Sequence, residues 1–146
     1  MEKTLRLLSH LKWLFLIWML VLIVLIFINV PNVNITQIGT VIFLCGIFMG
    51  LESLGDSSDL TAKEIALYSN KRYVIIQSSI LIAGAITVLI ISLFFLSLRF
   101  IFPSMNADLL DNFSELAFDC MALMLGFLCM IKQMRDKETA YKNSIN

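Results

Sequence analysis

Four apolar stretches, Trp13–Val30, Ile38–Leu54, Tyr73–Leu98 and Leu116–Ile131, take up more than half of the chain and alternate with short polar segments. The hydrocarbon core of a bilayer is about 30 Å thick and a helix rises about 1.5 Å per residue, so a crossing takes roughly 20 residues. The first and third stretches reach or approach that length unaided. The second and fourth need flanking polar residues to complete it. Leu14–Ile28 offers no polar face to water, which argues against a soluble amphipathic helix. The pattern predicts an all-α membrane protein: a single domain forming an antiparallel up-down bundle of four transmembrane helices. The expected spans are approximately residues 11–30, 37–55, 71–99 and 110–133, followed by a cytoplasmic helical tail over 134–146.

Punctuation residues sharpen these boundaries. Pro31 disfavours helical geometry at Val30 and closes the first stretch. Thr61-Ala62-Lys63-Glu64 fits a capping box, so one or two turns of helix should lie at the membrane surface between the second and third spans. Pro103 interrupts the last connection, and Asn106 is a candidate N-cap for the fourth helix. Trp13 suits a membrane interface, whereas Trp18 lies deeper and is expected to pack. The basic start followed by an apolar run resembles a signal peptide. The run is too long, however, and Val30-Pro31-Asn32 is no small-residue cleavage site, so a retained span is expected.

Composition agrees, with 59% hydrophobic and 15% charged residues. Net charge is zero, which leaves no bulk attraction for nucleic acid, and none is expected as a partner. Cation placement is informative instead. Of eleven Lys and Arg residues, Lys3, Arg6, Lys12, then Lys63, Lys71, Arg72, then Lys132, Arg135, Lys137 and Lys142 fall in three segments, and Arg99 alone falls elsewhere. The positive-inside rule then places both termini in the cytoplasm, and the Ile-, Leu- and Asn-rich usage suggests a prokaryotic cytoplasmic membrane.

Small and polar residues recur on single helical faces. Gly46 and Gly50 form a GxxxG, with Gly39 and Ser53 on the face of Gly46 at seven-residue spacing. Ser78, Ala85, Ser92 and Arg99 also recur every seven residues, and Glu115, Asp119, Ala122, Gly126, Cys129 and Gln133 alternate steps of four and three. Lipid supplies no hydrophobic drive between helices, so these stripes mark the expected helix contacts. The GxxxG fits either intramolecular packing or a dimer seam.

Charges at membrane depth are candidates for function, because each costs roughly 2.5–3.5 kcal/mol near a helix centre. Arg99 is the expected ion-pair partner of Asp119 or Glu115, holding spans three and four together; a protonatable site at Asp119 is the alternative. Glu52 lies near the opposite boundary, in one layer with Lys71 and Arg72, and is expected to reach the headgroups. Cys45, Cys120 and Cys129 contain no C-x-x-C pair and read as reduced packing thiols. No metalloprotease, P-loop or hydrolase-elbow motif is present, and His10, the sole histidine, precedes the first apolar stretch. Neither an enzymatic activity nor a cofactor or metal is expected.

In size and number of apolar stretches the chain resembles the small multidrug transporters. That family is built around a carboxylate in its first span, and Trp13–Val30 has none. The expected function is therefore non-catalytic: accessory, regulatory or immunity-type action through another membrane protein or a second copy of the chain, within the lipid bilayer. The alternative is an oligomeric transporter or channel protomer with Asp119 and Glu115 on its path.

Overall fold

Helices follow the apolar runs and begin where a capping side chain stands. The structure is a computed structural model that describes residues 11–28, 34–54 and 60–145. Five helices form among them: α1 (Lys12–Ile28), α2 (Ile35–Ser53), α3 (Ala62–Tyr68), α4 (Lys71–Ile101) and α5 (Ala107–Ile145). Asn34 caps α2 through Thr36 N–H, Asn70 caps α4 through Arg72 N–H, and the Asn106 side chain accepts from Asp108 N–H at 2.9 Å. At α3 the Thr61 hydroxyl accepts from Glu64 N–H while the Glu64 carboxylate accepts from Thr61 N–H, closing the capping box.

The expectation of four spans is corrected. Among the described residues only α2, α4 and α5 are long and apolar enough to cross a membrane. The 17 residues of α1 rise about 26 Å, short of the roughly 30 Å core. A run of apolar residues was equated with a run of helix, and the last two residues of that run, Asn29 and Val30, lie outside the described residues, as does Pro31. By contrast, the 31 residues of α4 rise about 46 Å and the 39 of α5 about 58 Å, so both overshoot the core.

The helices form a row rather than a closed bundle. α1 packs on α2, α2 on α5, and α5 on α4, while α3 bridges α4 and α5. Neighbours α1–α2 and α4–α5 are antiparallel. The α2–α5 seam, by contrast, is parallel: Gly39 meets Asp119, Gly46 meets Ala122, and Glu52 meets Gln133. Backbone proximity explains that seam. A Cβ on Gly46 would stand 2.5 Å from the Ala122 carbonyl oxygen, and one on Gly126 would stand 2.7 Å from the Gly46 carbonyl oxygen. Small residues on both sides let the two backbones touch, which is the packing available to helices surrounded by lipid.

The α4–α5 seam is zipped in the opposite sense. Phe95 stacks on Phe113 with centroids 5.5 Å apart, Ser92 meets Ala117, and Gly84 leaves room for the Phe127 ring. Ala85, Leu98, Leu110, Ala117 and Cys120 are buried along it. At the edge of the row α1 buries no residue, and Trp18 is 57% exposed, so its indole does not pack as expected.

Candidate functional site

One end of the row gathers polar groups from every element. The Lys12 ammonium at the start of α1 donates to the Glu52 carboxylate at the end of α2, and its Nζ also lies 5.8 Å from the Trp13 ring. Gln133 Nε2 on α5 donates to the Glu52 backbone carbonyl at 3.1 Å. One turn further along α5, Lys137 donates to the Glu64 carboxylate of α3. That carboxylate thus serves α3 twice, as capping-box acceptor and as anchor to the long helix. Lys137 and Thr61 together hold the Glu64 carboxyl down to a pKa of about 2, with the Lys137 hydrogen bond as the larger cause. Burial pushes the nearby Tyr68 phenol up, with smaller contributions from Tyr73, Glu64 and Glu138.

These groups enclose a cavity of about 230 Å³. Glu52, Glu64, Tyr68, Tyr73, Gln77, Gln133 and Lys137 form its polar lining, and Leu81, Met130 and Met134 are among its apolar residues. The Gln77 side-chain oxygen is buried there without a hydrogen-bond partner. Both acids are already neutralised by lysines, so the cavity offers hydrogen-bonding groups rather than a net charge. Among the described residues no group of three or more His, Cys, Asp or Glu side chains could hold a metal ion. Cys45, Cys120 and Cys129 are free thiols.

The residues singled out from sequence divide sharply. Gly39, Gly46, Ala122 and Gly126 come together in the α2–α5 seam. Gly50 meets nothing within 4 Å, so the two glycines of the GxxxG play different parts. Ser53 donates to the Gly50 carbonyl and Ser78 to the Ile75 carbonyl, each within its own helix. Ala85 and Ser92 are buried, while Cys129 is half-buried.

The ion-pair expectations change partners. Arg99 lies 3.8 Å from Asp111, with both side chains about two-thirds exposed, and pairs with neither Glu115 nor Asp119. Asp111 sits one turn before Glu115 on the same stripe, nearer the end of α4, so extending that stripe by four residues would have found it. Glu115 is exposed, and the Asp119 carboxylate fills the space a Cβ on Gly39 would need. Glu52 meets Lys12, while Lys71 and Arg72 stay exposed at the start of α4. The Lys12–Glu52 contact had a readable signal, since each is the charge nearest one end of adjoining apolar runs. Glu64–Lys137, 73 residues apart, had none.

No protein-family model matches this chain, and neither a curated protein nor a solved structure matches it.

Proposed function

We propose that this is a non-catalytic integral membrane protein that works by binding another membrane protein through its basic end. The chain is a small all-α protein with three membrane-length helices among the described residues. One observation carries the reading: the Glu64–Lys137 pair fastens α3 to the projecting part of α5, joining two segments distant in sequence into one preformed surface. Around it Lys63, Lys132, Arg135 and Asp136 stand exposed, a mixed-charge rim of the kind that sets specificity and encounter rate. This end faces the cytoplasm, because Lys12, Lys71, Arg72 and the lysines of α5 collect there while Arg99 stands at the other.

Crosslinking and co-purification from native membranes test the reading. A stoichiometric membrane partner is expected, released when Lys137→Glu sets two carboxylates against each other. Recovery of the chain alone, with no partner under crosslinking, overturns it.

A second reading has its own observation. Glu115 and Asp119 stand on one α5 stripe with no basic side chain paired to either among the described residues. Below them the stripe is closed by the α2–α5 seam, so an oligomer would form a cation or proton path only at the Glu115–Asp119 end, where Glu115 is exposed. Flux into liposomes that disappears with Asp119→Asn supports this reading, and a homo-oligomer without flux removes it.

A further inference from the structure

Where α3 ends and α4 begins, a groove of about 480 Å³ opens beside the projecting part of α5. Its walls are of two kinds. Val74 and Ile75, within the apolar length of α4, supply a greasy flank, and Ile75 is 62% exposed. Lys71, Glu138, Tyr141 and Lys142 supply a polar flank. Lys71 precedes Ile75 by four residues, so the ammonium stem starts about 6 Å nearer the water than the isoleucine. Apolar and cationic groups are therefore layered along the direction in which a lipid is layered.

Charge adds a second constraint. Lys142 donates to Glu138 at 2.7 Å, which neutralises one lysine of the groove. Lys71 takes part in none of the ion pairs among the described residues. Two lysines against one glutamate leave the lining one positive charge in excess, which a single phosphodiester balances. The Tyr141 phenol stands on the same flank, with an O–H suited to a phosphate oxygen.

We infer that this groove binds the phosphodiester headgroup of an anionic phospholipid, with Lys71 and Lys142 on the phosphate and Val74 and Ile75 against the upper acyl chain. Basic pockets at the membrane surface bind anionic headgroups, each Lys near that surface contributing about 1 kcal/mol. The site requires no protein partner and stands apart from the 230 Å³ cavity, with Tyr68 common to both walls.

The test uses the full chain in neutral detergent. It is titrated with phosphatidylglycerol, with phosphatidylcholine and with inorganic phosphate, and bound lipid is read by native mass spectrometry. Phosphatidylglycerol should bind best, and Lys71→Gln with Lys142→Gln should weaken it roughly tenfold to thirtyfold. Lys71→Arg with Lys142→Arg should restore most of the affinity, which separates lost charge from lost folding. Ile75→Asn should weaken the lipid while leaving inorganic phosphate unchanged. Phosphatidylcholine binding as tightly as phosphatidylglycerol, or a glutamine pair that retains full affinity, overturns the assignment. Inorganic phosphate occupying the groove as tightly as the lipid also overturns it, since the acyl wall would then contribute nothing.

Discussion

The Ser92 hydroxyl donates to the Ala117 carbonyl oxygen at 2.9 Å across the α4–α5 seam, and Ser92 is fully buried. That carbonyl lies inside α5, so it accepts from the serine in addition to its place in the helix ladder. Interhelical hydrogen bonds in membranes average about 0.6 kcal/mol because the separated helices find other partners. Ser92→Ala should therefore lower stability by about that amount, and Ser92→Leu by about 1–3 kcal/mol through overpacking. Reversible unfolding in mixed micelles separates the two outcomes; equal effects would show that the seam is loose.

The paired glycines of α2 should respond oppositely. A methyl at Gly46 meets the Ala122 and Leu123 backbone, which cannot move without parting α2 from α5. Gly46→Ala should cost about 1–3 kcal/mol, whereas Gly50→Ala, facing open space, should gain up to about 1 kcal/mol of helix propensity. The same unfolding measurement checks both. A destabilised Gly50→Ala together with a tolerated Gly46→Ala would place the seam on the wrong face.

Acid should loosen α3. The Glu64 carboxyl sits at about 2 in the folded protein against an ordinary 4.5, so its contribution is full above pH 4.5 and is lost as pH falls toward 2. Amide protection over Ala62–Tyr68, taken against the intrinsic exchange rate at each pH, should fall through that window while that of α4 holds. Lys137→Gln removes the larger cause of the depression and should move the loosening to higher pH. A profile identical with and without Lys137 contradicts the clamp.

Arg99 and Asp119 should be energetically independent. Arg99 stands by Asp111 at 3.8 Å, and Asp119 lies two turns further along α5 against Gly39. In a double-mutant cycle of Arg99→Gln and Asp119→Asn the effects should add within about 0.5 kcal/mol. The Arg99–Asp111 cycle should return no more than about 1 kcal/mol, since both groups are exposed. Strong Arg99–Asp119 coupling would bring back the pair expected from sequence.

Legibility varied with the range of the interaction. Asn106 and the Thr61–Glu64 box act within three residues of themselves, and their patterns are visible in the chain. The lipid solvent was equally plain, because apolar runs declare it. Helix length was read less well, since the described part of α1 falls short of a crossing. Neighbour order was legible only in part: the α4–α5 pairing was expected, the α2–α5 pairing was not. Up-down alternation allows α2 to meet α1, α4 or α5, and the choice of α5 rests on backbone approach at Gly46 and Gly126 across 80 positions. Arg99 was assigned to the wrong acid because Asp111, Glu115 and Asp119 share one helical face, and the face alone does not fix which turn of α5 lies level with the end of α4.

The helix at the heart of the row follows both of its partners in the chain. A nascent chain enters the membrane in order, and α2 and α4 share no substantial seam, so neither completes the other's packing. Until α5 follows, the glycine face of α2 stands bare beside whatever the translocation machinery leaves there. The row joins up only when α5 slides between two strangers and makes them neighbours at one remove.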